Sequence, residues 1–78
     1  MSRRVTDTIA LKKAMVDSGL DKIIDLSRAS GVSRNTLGNI LNGNSQPSAD
    51  VMNKLVVTLE VPPSEAGQIF FSSILRNA

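Results

Sequence analysis

The stretch Gly31–Gly43, GVSRNTLGNILNG, sets one arginine and three asparagines among apolar residues at 32, 37, 40 and 41. Ser33 is a good N-cap for a helix from Arg34 to about Leu41. On that helix Leu37 and Ile40, three apart, share one face and anchor it. Arg34, Asn35, Gly38, Asn39 and Asn42 form a polar stripe on the opposite face. Asparagine is a poor helix-interior residue, and a glycine there costs about 1 kcal/mol relative to alanine. A merely solvated face would more readily carry Glu and Lys, so this stripe suits a surface that meets another molecule.

The flanks extend the pattern. Before Gly31, a helix is expected from about Lys22 to Ser30, with Asp21 as N-cap and Ile23, Leu26 and Ala29 inward. Ser27 is a small residue where two short helices cross steeply, and Gly31 suits the sharp turn between them. Earlier still, a helix from Thr6 to Ser18 is expected, capped by Thr6, with Ile9, Ala10, Ala14 and Met15 recurring at helical spacing. Gly19 stops it, and Leu20 is the apolar contact past the stop. After Asn42-Gly43 comes a loop, NGNSQPS, then a helix capped by Ser48 from Ala49 to about Leu59. Val51, Met52, Leu55 and Leu59 are its inward stripe, with Val56 alongside. Pro62-Pro63 opens a fifth helix, expected from about Ser64 to Arg76. No strand is expected, and the fold class is all-α with five helices in one domain, 6–78, preceded by a flexible basic arm, 1–5.

Composition narrows the function. With 78 residues the chain makes one small domain, and with neither cysteine nor histidine it lacks disulfides, thiolate ligands and the usual general base. Its seven carboxylates are scattered singly, without an apolar setting that would tune a pair apart for acid–base work. These features argue against an enzyme, and no cofactor or metal is expected. The longest apolar runs are too short for a membrane span, and the basic start MSRRVTDT is followed by no apolar stretch of a signal peptide. The expected location is the cytoplasm. A net charge of +2 permits nucleic-acid binding without arguing for it.

Taken together, LSRASGVSRNTLGNILNG at 26–43 and QPSADVMNKLVVTLEV at 46–61 resemble the helix-turn-helix of lambda-repressor-like (Cro/CI-type, XRE-family) DNA-binding proteins. The resemblance covers roughly residues 9–70, with the helix-turn-helix itself at about 22–42. It implies a five-helix lambda-repressor-like fold whose third helix enters the major groove of double-stranded DNA. Base reading would fall to Arg34, Asn35 and Asn39, with close backbone approach at Gly38. Phosphate contacts would fall to Ser33, Asn42, Asn44 and Ser45. The chemistry fits, because arginine forks onto guanine and asparagine pairs with adenine, each worth about 1–3 kcal/mol of discrimination.

In three places the sequence departs from the family's pattern. Ile23 stands where many members carry a phosphate-clamping glutamine, leaving Lys22 as the substitute. Met15 and Leu41 stand where several relatives pair an arginine with a glutamate, and are expected to touch in the core. Ser27 replaces the turn's usual alanine, a change expected to do little. In the fifth helix, Ala66, Ile69 and Phe70 would pack inward and leave Phe71, Ile74 and Leu75 outside as a homodimer interface. The expected function is a transcriptional regulator, a repressor by preference, acting as a homodimer on two half-sites. The alternative is an antirepressor or antitoxin of the same fold that grips a partner protein through its C-terminal helix.

Overall fold

A computed structural model describes residues 4–73 of the chain. Five helices follow in order: α1 (Thr8–Asp17), α2 (Ile23–Ser30), α3 (Arg34–Leu41), α4 (Ala49–Leu59) and α5 (Pro63–Phe70). A two-residue strand at each end, β1 (Arg4–Val5) and β2 (Ser72–Ser73), closes them, pairing antiparallel with Arg4 opposite Ser73 and Val5 opposite Ser72. The class is all-α, and the chain fills a body of 37 × 24 × 20 Å.

Among the described residues twelve apolar ones form one core, drawn from every helix and from Val32 and Val61 in the connections. Leu26 and Leu55 are wholly enclosed, and Leu11, Leu37, Ile40 and Phe70 nearly so. Each such side chain removed from water contributes about 1.5–3 kcal/mol. Helix α2 packs on α3 and α4, while α1 packs on α3 and α5. Met15 and Leu41 are both buried in this core, so the place of the family's ion pair is filled by apolar side chains.

Local chemistry fixes the helix ends. Ser33 and Ser48 cap α3 and α4, their hydroxyls accepting from the Thr36 and Val51 amides. Helices α1 and α3 stop alike. The amides of Gly19 and Leu20 bond back to Val16 and Met15, and those of Gly43 and Asn44 to Ile40 and Asn39. Helix α4 stops in the same way, but the residue with positive φ is Glu60, at 53°, where the others use glycine.

Several boundaries and faces differ from the sequence expectation. Asp7, not Thr6, caps α1, because its carboxylate reaches the Ala10 amide. The Thr6 hydroxyl instead bonds Gln46. Lys22 occupies the N-cap position of α2 in place of Asp21, and no side chain caps that end. On α1 the inward pair is Leu11 and Met15, whereas Ile9 is 80% exposed. Two positions from Leu11, Ile9 falls on the far side of the helix. Ala29 of α2 is likewise exposed.

The largest difference is at the C-terminus. Helix α5 ends at Phe70, not near Arg76, because the chain turns at Phe71 into the β1–β2 pairing. The Asp7 amide also donates to the Ile69 carbonyl, tying the start of α1 to the end of α5. Phe71 therefore stands past the end of the helix, at its C-cap. Phe71 is 44% exposed, and Ile74 and Leu75 lie outside the described residues. The arm expected at 1–5 is anchored through Arg4 and Val5.

Candidate nucleic-acid interface

Helix α3 is held by its apolar face and leaves its polar face outside. Leu37, Ile40 and Leu41 are buried, while Arg34, Asn35 and Asn42 are exposed and Gly38 and Asn39 half-buried between them. A Cβ built at Gly38 meets nothing within 4 Å, so the fold itself does not demand glycine there. The space beside Gly38 is open. Arg34 sits at the first position of α3, next to its cap.

The turn before α3 is fixed by short side chains. The Ser27 hydroxyl donates to the Val32 carbonyl at 2.6 Å, and the Ser30 hydroxyl donates to the Leu26 carbonyl at 2.7 Å. The Val32 amide in turn donates to the Ser30 hydroxyl at 3.2 Å. Gly31 takes φ +80°, a conformation most side chains resist, and its amide closes α2 on Ser27. Ser27 thus does more than the alanine it replaces, since its hydroxyl ties α2 to the connection that leads into α3.

Around α3 the hydroxyls and amides are already partly used. Ser33 accepts from the Thr36 amide and donates to the Thr36 hydroxyl at 2.8 Å. Its proton is thereby engaged, while half-buried Thr36 keeps its own proton to donate. Thr36 was not singled out from sequence. The signal for it was the Ser-x-x-Thr spacing across the cap. Asn44 and Ser45 are exposed, but their backbone amides both turn back onto the Asn39 carbonyl. Only their side chains remain to meet a phosphate.

Two further groups frame this face. Lys22 is exposed at the start of α2, whose first amides have no side-chain cap. Uncapped amides at a helix start favour an anion. Gln46, from the same loop as Asn44 and Ser45, accepts from Thr6 and donates to the Phe70 carbonyl. It holds that loop against both chain ends. Among the described residues the one ion pair, Lys54–Asp50 at 3.1 Å, lies on the solvent side of α4. No group of three or more metal-type ligands occurs among the described residues, and no helix there is long and apolar enough to cross a membrane.

A family model described as helix-turn-helix matches residues 11–65, most of the chain and all of α2, α3 and α4. No curated protein matches it.

Proposed function

The chain belongs to the XRE/lambda-repressor-like helix-turn-helix family of DNA-binding regulatory domains, and from that premise we propose that it is a repressor reading its operator through α3. Arg34, Asn35 and Asn39 address base edges, and Gly38 lets the backbone close on the groove. Phosphates are held by Asn42, Asn44, Ser45 and Lys22, with Thr36 donating where the proton of Ser33 is engaged in capping. The observation that carries this reading is the division of α3. One face is wholly committed to the core, and the other offers donors and acceptors around a glycine that the fold does not need.

Arg34 provides the test. On a duplex selected from random sequence, Arg34→Ala is expected to weaken binding by about 1–3 kcal/mol and to relax preference at one base pair. Equal weakening on every sequence would reduce Arg34 to a phosphate contact.

The repressor acts as a homodimer, its two reading helices about 34 Å apart on successive turns of one face of the duplex. The contact lies at the end of α5, where Phe71 is exposed beside the paired chain ends, and Ile74 and Leu75 follow it in sequence. Phe71→Asp should give a folded monomer that keeps base preference and loses most operator affinity in sedimentation and binding assays. A wild-type chain that sediments as a monomer at micromolar concentration yet binds tightly would refute this arrangement.

A further inference from the structure

A groove of about 470 Å³ runs between α1, the C-terminal end of α4 and α5. Ala14, Leu59, Val61 and Ile69 give it an apolar floor. Its rim is anionic. Among the described residues, four of the chain's seven carboxylates, those of Asp7, Asp17, Glu60 and Glu65, line it beside the cation of Lys13. Asp17, Glu60 and Glu65 are exposed, and none of the four shares the Lys54–Asp50 ion pair.

We propose that this groove docks a basic segment of a partner protein, with an apolar side chain on its floor and flanking cations on its rim. Charge complementarity selects the occupant. An anionic membrane or a second nucleic acid meets repulsion from the rim carboxylates, whereas a segment alternating arginine or lysine with leucine satisfies both floor and rim. No lining residue comes from α2, α3 or the connection between α3 and α4. A peptide and a duplex therefore occupy separate faces, and the negative rim stays clear of DNA. Glu60 belongs to the same picture. It holds a helix stop at φ 53°, where glycine serves α1, α2 and α3, and so puts a carboxylate on the rim. The inference does not depend on base reading by α3.

The test uses the full chain and a short fluorescent peptide of alternating arginine and leucine. Saturable binding is expected, with amide shifts at Ala14, Asp17, Glu60, Glu65 and Gln68 and none along α3. A glutamate–leucine peptide should not bind, and an all-arginine peptide should bind more weakly. Glu60→Gly removes the carboxylate while easing the backbone, so the fold is kept. Glu65→Gln removes the second charge without altering shape. Each should weaken the peptide about two- to fivefold, the range for an exposed ion pair. Unchanged affinity in both variants, equal binding of the all-arginine peptide, shifts centred on α3 or no binding at all would each overturn the proposal.

Discussion

Gly38→Ala separates what the fold needs from what the interface needs. Gly38 lies inside α3 at an ordinary helical φ, and a new Cβ meets nothing within 4 Å. The substitution therefore gains helix propensity without a clash, about 0.8–1 kcal/mol. For a domain of this size that corresponds to a rise in Tm of about 4–8 °C. At a close approach to a duplex, however, the added methyl forces the surfaces apart. Such overpacking costs about 1–3 kcal/mol, or roughly five- to more than a hundredfold in Kd. Gly67 is the matched control, a glycine inside α5 whose Cβ also meets open space. Gly67→Ala should raise Tm similarly and leave DNA affinity alone. Thermal melts by circular dichroism and fluorescence anisotropy on a selected duplex give both readings. A Gly38→Ala chain that melts higher and binds DNA as tightly as wild type would remove the close approach from the reasoning.

Two other substitutions test the scaffold. Ser27→Ala deletes the bond to the Val32 carbonyl and should cost about 0.5–1.5 kcal/mol in chemical denaturation. No loss would mean that the hydroxyl does not bridge the turn. Met15→Arg places an unpaired charge at a site only 2% exposed and should cost about 3–5 kcal/mol. Adding Leu41→Glu should recover part of that loss, and a double variant less stable than the single would show that the two positions do not meet.

Much of this architecture could be read from local signals. Ser33 and Ser48 before apolar runs, and Gly43 after the first of them, marked the ends of α3 and the start of α4. The stripe at Val51, Met52, Leu55 and Leu59 is the buried or half-buried face of α4. Helix α1 was harder, because Ile9, Leu11, Met15 and Val16 offer two apolar faces. Only packing against α3 and α5 selects Leu11 and Met15. The end of α5 had no local signal. Ile69–Leu75 keeps an apolar pattern through Phe71, yet pairing with Arg4–Val5, far away in sequence, stops the helix at Phe70. At the candidate interface, the polar stripe of α3 was legible from periodicity. The engagement of Ser33 with Thr36, and of the Asn44 and Ser45 amides with Asn39, depended on geometry that spacing does not encode.

Gln46 gathers segments that are far apart in the sequence. Its side chain joins Thr6, forty positions earlier, and Phe70, twenty-four positions later, in one hydrogen-bonded junction. The loop after α3, the lead-in to α1 and the exit from α5 are thus tied together through one side chain. Closing so large a ring costs entropy that grows only slowly with its length. The two bonds at the junction are then enough to hold three distant segments together.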